Sequence, residues 1–426
     1  MALIFVHGVN TRFGPEYQTE VASRNELLRR LLLVPLEEAT HRPVAEMRIE
    51  NVYWGQHGVT FAWNNACLPD VKTLKHMGGM DGSTPLADAE LQRVAADLGG
   101  SSVQTGLTPM GGASFNLRAA ALKDPMQVAE ALLSPLLFAE KELEATSVGT
   151  PEERGRRQAL AIVAAMEAAA AEQTKTALAA AANDQEVIEI LKRATLDRLE
   201  QLSQPSPSTT GLTAMGGGLW QSFKDRVGEI FNRAKQAPAR VTTVAALDVY
   251  RNALQEKLGL FLGDVFVYLH RRGSQAAPGP IVSTVRDAIA TAPKKTPSEP
   301  TIVITHSMGG NIVYDLLTHY APELSVDAWI SVASQVGFFE EMKIFNASDS
   351  NITGPAKVGS LSTLKFWLNI YDPADVLAFK TEPIFSAAKR DLSFITGDSA
   401  LKAHGAYFKR PSFYRLLFNE LKTAPF

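Results

Sequence analysis

One cysteine, Cys67, is all that the 426-residue chain contains. No intrachain disulfide can form, so the fold must rest on a packed core. Excess positive charge is lacking too: 42 Lys and Arg stand against 45 Asp and Glu, a net charge of −3. That leaves no electrostatic case for a nucleic-acid partner. Long uncharged apolar runs are also missing. The most apolar long stretch, 159–182, draws most of its bulk from alanine and is broken by Glu167, Glu172 and Lys175, a poor match to a membrane span. The N-terminus has neither the basic region nor the apolar core and small-residue cleavage site of a secretory signal. With the single cysteine, this leads us to expect a cytoplasmic protein.

Ligand-holding patterns are scarce as well. His41, His57, His76 and Cys67 are scattered, without the paired spacing of a metal site. Gly-Gly pairs begin at Gly78, Gly111 and Gly216, but none leads into the Lys-Ser/Thr of a phosphate-binding loop. The expectation is therefore no metal and no cofactor.

What is present centres on Thr305-His306-Ser307-Met308-Gly309-Gly310. The apolar run Thr301-Ile302-Val303-Ile304 precedes it, and Asn311-Ile312-Val313-Tyr314-Asp315-Leu316-Leu317 follows with apolar residues at helical spacing. A strand, an abrupt turn and a helix are what a nucleophile elbow needs, because the serine hydroxyl must project above the sheet edge beside a helix N-terminus. The pattern departs from Gly-x-Ser-x-Gly at Thr305, and a serine at an ordinary helix N-cap is the competing reading.

Two other stretches bear on that choice. The chain opens with Leu3-Ile4-Phe5-Val6-His7-Gly8-Val9-Asn10, an apolar strand ending in His-Gly. Near the other end, Phe366-Trp367-Leu368-Asn369-Ile370-Tyr371 runs into Asp372-Pro373-Ala374-Asp375-Val376, and His404 follows. Serine, aspartate and histidine in that order resemble the α/β-hydrolase family, in particular its lipase- and esterase-like members. The resemblance covers residues 1–55 and 241–426 and leaves out the middle.

The resemblance implies a doubly wound, mostly parallel α/β sheet and specific roles for residues. Ser307 would be the nucleophile, and His404 the base that activates it. Asp375 would orient His404, with Asp372 as the alternative. The backbone N–H groups of Val9 and Met308 would form the oxyanion hole, with His7, Gly8 and His306 lining the substrate site. His7 reads more readily as a histidine that braces its loop than as a second base.

Along the chain, residues 3–6 read as a strand, 16–33 as an amphipathic helix and 47–54 as a second strand, a unit that calls for a parallel sheet. Residues 56–240 show no clear alternating strand and are expected to form one long, mainly helical insertion, with helices over 124–145, 152–182 and 184–202. Ile188, Leu191, Thr195, Leu199 and Leu202 fall close to a heptad seam. Thr105-Gly106-Leu107-Thr108-Pro109-Met110-Gly111-Gly112 recurs at 210–217 with one substitution, alanine for proline; two packed turns or two lips of a lid both suit it. After the insertion, 241–258 is expected as a helix, 263–269 as a strand and 281–290 as a helix. Strands are expected again over 326–333, 366–371 and 392–396, and a closing helix over 412–421.

The leading functional expectation is a serine hydrolase that cleaves carboxylic esters through an acyl-enzyme. A helical insertion beside the site would suit a lid over an apolar acyl chain, which makes a lipid, including a phospholipid, the expected substrate class. Thioesterase and acyltransferase chemistry would use the same three residues. In the other reading the insertion recruits a partner protein or a membrane surface, and the heptad-like face motivates it. A scaffold without catalysis is the third.

Overall fold

The computed structural model describes residues 2–40, 49–63, 117–138, 150–203, 246–292, 299–386, 390–398 and 403–424, with 221, 223–225, 227, 228 and 231. Cys67, His41, His76 and both copies of the repeated stretch lie outside the described residues.

Among the described residues, six strands form one open sheet: β1 (Ala2–Val6), β2 (Ile49–Val52), β3 (Thr301–His306), β4 (Val326–Val332), β5 (Leu364–Tyr371) and β6 (Arg390–Ser393). Their order is β2-β1-β3-β4-β5-β6, and every neighbouring pair is parallel. Parallel strands need crossover connections, and the helices in those connections cover the sheet, so the strands read as continuous apolar runs. β1 is buried at all five positions. Its side chains alternate between faces: Ile4 and Val6 join one core with Val303 and Trp329, while Leu3 and Phe5 join another with Ile302, Ile304 and Ile330.

Helices close both faces. Pro280–Ala290 starts on a proline and buries Ile281, Val282, Val285 and Ile289, one stripe at helical spacing. Together with Met308–Asp315 it covers the first face. Pro15–Leu28 contributes Leu27 and Leu28 to the second face, and Pro411–Leu421 contributes Phe413, Tyr414, Leu417 and Leu421. Each such side chain adds roughly 1.5–3 kcal/mol by leaving water. The first helix runs further than expected: Pro15–Leu28 passes through a π turn over Arg29–Leu33 into Val34–Thr40.

The stretch 263–269, expected as a strand, is not one. It is the end of a 26-residue helix, Ala246–Arg271. The alternation of Asp264, Val265, Phe266, Val267 and Tyr268 mimics a strand, but the fully buried members are Asp264 and Tyr268, four residues apart, while Phe266 is exposed. A spacing of four is one helix face. Seven residues were too few to separate the two periods.

Between β2 and β3 the described residues are largely helical: Leu117–Lys123, Pro125–Phe138, Pro151–Ala170, Glu172–Ala180 and Asp184–Ser203. The helix expected over 152–182 breaks at Ala171, which is extended at φ −65° and ψ 136°. Thr150 and Glu153 form a capping box at its start, each side chain accepting the other's backbone N–H. This layer has its own core, in which Ile188, Leu191 and Leu199 pack with Leu160, Ile162 and Phe231. The heptad-like seam of Asp184–Ser203 is therefore covered within the chain. The layer is also fastened to the sheet domain. Ala159 and Val163 share a core with Leu27 and Leu28, and the buried Glu130 carboxylate accepts from both N–H and Oγ of Ser412. No helix among the described residues is long and apolar enough to cross a membrane.

The order of strands reverses beside β1: β2 lies on one side of it and β3 on the other. Chains leaving β1 and β3 at their carboxyl ends diverge there, at the switch point where open α/β sheets usually bind ligands. His7-Gly8 leaves β1 at that point, and Ser307 leaves β3.

Candidate active site

Ser307 sits between β3 and the helix Met308–Asp315 with φ 52° and ψ −127°. A non-glycine residue in that region is strained by roughly 1–3 kcal/mol and holds only where its surroundings dictate it. They do so here. The Ser307 N–H donates to the Val332 carbonyl at 2.9 Å, which extends the β3–β4 ladder by one residue, and its carbonyl accepts the Gly310 N–H at 2.9 Å. The helix then passes so near β1 that a Cβ on Gly309 would meet the Val6 carbonyl oxygen at 2.6 Å. Gly8 is pressed against the serine itself: a Cβ there would lie 2.6 Å from Ser307 Cβ.

Thr305 replaces the first glycine of the usual elbow. Its side chain is fully buried, and Oγ1 accepts the indole N–H of Trp329 at 2.9 Å. The next glycine, Gly310, answers Ser334 instead, whose Cβ a Cβ at 310 would meet at 2.7 Å. The crossing is kept tight from the helix side by Gly309 against Val6.

Ser307, His404 and Asp375, far apart in sequence, form one hydrogen-bonded chain. His404 Nε2 is 2.8 Å from Ser307 Oγ, and its Nδ1 is 2.9 Å from Asp375 Oδ2 and 3.1 Å from Oδ1. Nδ1 facing a carboxylate carries the proton, which leaves Nε2 to accept from the serine hydroxyl. Asp375 is buried. Its Oδ1 accepts the Leu377 N–H at 2.9 Å, and its Oδ2 accepts the phenolic O–H of Tyr407 at 3.1 Å.

Asp372 takes a different place. Its Oδ1 accepts the Ala374 N–H at 2.8 Å, and its Oδ2 accepts both the N–H and Oγ1–H of Thr396 at 2.7 Å. It makes a side-chain turn in front of Pro373 and ties the end of β5 to the segment after β6. The Asp372 backbone N–H in turn donates to the Tyr407 hydroxyl oxygen at 2.7 Å. Tyr407 therefore holds both aspartates in register, and burial with the Asp375 carboxylate nearby keeps its phenol protonated far above the usual range.

His7 is occupied in the scaffold. It accepts the Trp54 N–H at Nε2 (3.1 Å), contacts the Gly8 carbonyl through Nδ1 (2.6 Å) and stacks on the Trp54 ring at 4.9 Å. Trp54 Nε1 donates to the His7 carbonyl at 2.8 Å. These bonds brace the loop after β1 and leave no ring nitrogen for a substrate. His306 points to the loop of His404, whose carbonyl accepts from its Nε2 at 2.7 Å, and its ring packs on those of His404 and Phe408. Val9 is half-buried and Met308 fully buried. Among the described residues, neither N–H donates a hydrogen bond.

Several supporting residues escaped the sequence reading. Asn369, a polar residue at a fully buried position of β5, accepts from Ser331 and Ser334 and donates to the Phe379 carbonyl and Asp391. Gln335 donates to the Ala333 and Leu377 carbonyls, at 2.9 and 2.7 Å, and so joins the end of β4 to the Asp375 loop. An asparagine inside the apolar run 366–371 was the visible signal. Tyr407 and Gln335 carried none.

Burial lowers the pKa of His7 from 6.5 to about 4. Burial, then the neighbouring His404, lowers that of His306 from 6.5 to about 3. Both values fall below the unfolded one, so the unfolded chain takes up protons first on acidification. The stability tied to these neutral rings is complete above about pH 6.5 and declines toward pH 4, by up to ~1.4 kcal/mol per pH unit for each histidine. We expect the melting temperature to drop steadily between pH 6.5 and 4, and the slope to flatten in His7→Gln. A melting temperature constant over that range would mean that neither ring is held neutral.

No group of three metal-ligating side chains occurs among the described residues. Comparison of the chain with protein-family models, with curated proteins and with solved structures found no match.

Proposed function

We propose that the protein is a serine hydrolase of the α/β-hydrolase type that cleaves carboxylic esters through an acyl-enzyme. The observation that carries this reading is the Ser307–His404–Asp375 hydrogen-bonded chain, with Ser307 on a strained turn at the carboxyl end of β3, where the strand order reverses. Open α/β folds serve many functions, so the reading rests on that site and not on the sheet.

In the proposed reaction, Ser307 Oγ attacks the ester carbonyl as its proton moves to His404 Nε2, and the Asp375 carboxylate stabilises the imidazolium. The carbonyl oxygen becomes an oxyanion, for which the N–H groups of Val9 and Met308 and the positive end of the following helix provide the setting. Collapse breaks the carbon–oxygen bond to the alcohol, which leaves with the proton from His404. Water then attacks the acyl-Ser307 ester in the same way, giving the carboxylic acid and the free serine.

An apolar acyl substrate is supported by what stands at the carboxyl edge of the sheet. Phe13 follows β1, Val376 adjoins Asp375, and Ile395 follows β6; all three are exposed. The test is labelling of the full chain with a fluorophosphonate, which reports an activated serine, followed by an ester series of increasing chain length. We expect one adduct on Ser307, located by mass spectrometry, and kcat/KM that rises with acyl length before levelling off. A folded protein with no adduct and no turnover would remove the enzyme reading. A flat series with an adduct would remove only the apolar substrate.

A further inference from the structure

The helix Ala246–Arg271 carries one carboxylate to the loops that follow β1 and β2. Asp264 is fully buried, and all four of its hydrogen bonds come from donors. Oδ2 accepts the Asn10 N–H at 2.8 Å and Arg12 Nη1 at 3.0 Å; Oδ1 accepts Arg12 Nη2 at 2.7 Å and the Val59 N–H at 2.7 Å. One side chain thus clamps the loop after β1 to the loop after β2. Asn10, next to Val9, has φ 60°, in the left-handed region that asparagine tolerates. Further along the same helix, Tyr268 O–H and Arg272 Nη1, the latter one residue past its end, donate to the buried Asp315 carboxylate at 2.8 and 3.0 Å. Asp315 closes the helix that Met308 begins.

We infer that Asp264 is a positioning residue that sets the geometry of the oxyanion hole, with the helix Ala246–Arg271 as a strut between its two donors. The inference rests on the serine-hydrolase reading above. One end of the strut holds the loop that carries Val9, and the other holds the helix that presents Met308. A carboxylate is required because every partner is a donor. In Asp264→Asn the amide N–H₂ must face two N–H groups wherever it turns, so one side of the clamp opens. Val9 would then lose its fixed direction, and stabilisation that exists only in the transition state would be lost, while substrate binding would change little.

The experiment compares wild type, Asp264→Asn and Arg12→Lys as full chains. It measures kcat and KM for a soluble ester, Ki for a trifluoromethyl ketone that forms an oxyanion adduct with serine, and hydrogen exchange at 8–12. In Asp264→Asn we expect kcat to fall about 100-fold, KM to stay within about threefold, and Ki for the ketone to rise in step with the loss of kcat, as for removal of an oxyanion donor. Exchange at 8–12 should speed up. Arg12→Lys keeps the charge and both backbone donors but loses the fork, and about a fivefold loss in kcat should accompany a matching rise in Ki. It also serves as the test if Asp264→Asn does not fold. Unchanged kcat in either folded variant, or kcat lost with the ketone still tightly bound, would overturn the inference. If wild type itself shows no turnover and no ketone binding, the serine-hydrolase reading has failed instead. Faster exchange at 8–12 in Asp264→Asn would then still establish the clamp, without its catalytic meaning.

Discussion

Ser307→Ala is expected to lower ester turnover by about 10⁶-fold, to the level of the assay background, in a protein that still folds. Loss of a triad serine removes the covalent path, and what remains is the contribution of the oxyanion donors and of binding. The structural consequence should be small. Alanine at 307 meets the same backbone strain as serine. The one side-chain hydrogen bond removed is that to His404 Nε2, worth about 1 kcal/mol. The measurement is kcat together with the melting temperature. Turnover within tenfold of wild type would mean that Ser307 is an ordinary residue at a strained turn, and the proposed function would go with it.

Asp375→Asn and Asp372→Asn are expected to part company. Asp375→Asn should lower kcat by about 10⁴-fold, because an amide beside Nδ1 selects the wrong imidazole tautomer and cannot stabilise the imidazolium. Asp372→Asn should act on stability and spare kcat. Its carboxylate accepts from Ala374 and twice from Thr396 and makes no contact with His404. An amide there faces a donor with a donor, which costs about 1–3 kcal/mol of stability, while kcat should stay within about tenfold. Tyr407, bonded to both residues, couples them, so the double variant should not be additive. If Asp372→Asn were the inactive one, the acid of the site would have to be reassigned.

Much of the sheet was legible in the sequence because parallel strands buried on both faces are plain apolar runs. Residues 3–6, 326–333 and 366–371 differ from the observed strands by no more than two residues at an end. The helices expected over 281–290 and 412–421 start within one residue of the observed Pro280–Ala290 and Pro411–Leu421. Ser307, His404 and Asp375 were chosen by chain order and by resemblance, and only the tertiary structure brings Ser307 and Asp375 each within 3.1 Å of a ring nitrogen of His404, across 97 and 29 residues of sequence. The choice between Asp375 and Asp372 was open in the sequence, since both lie in one short loop. It turns on which carboxylate a distant histidine reaches.

The sequence by itself therefore determined the local things: apolar runs that must be buried, a small-residue turn after a strand, helices with one apolar face, and one cysteine that excludes a disulfide. These depend on nearest neighbours and on the periods of 2 and 3.6. The tertiary structure decided the rest. It made residues 263–269 a helix, because the buried Asp264 and Tyr268, four residues apart, each find hydrogen-bond partners on distant segments of the chain. It kept Thr305 beside the serine, because the Trp329 indole on the neighbouring strand bonds its hydroxyl. It turned the heptad-like seam of Asp184–Ser203 inward, because Leu160 and Ile162 cover it. Each outcome depends on contacts between residues far apart in the chain, and no local pattern encodes which distant group will arrive.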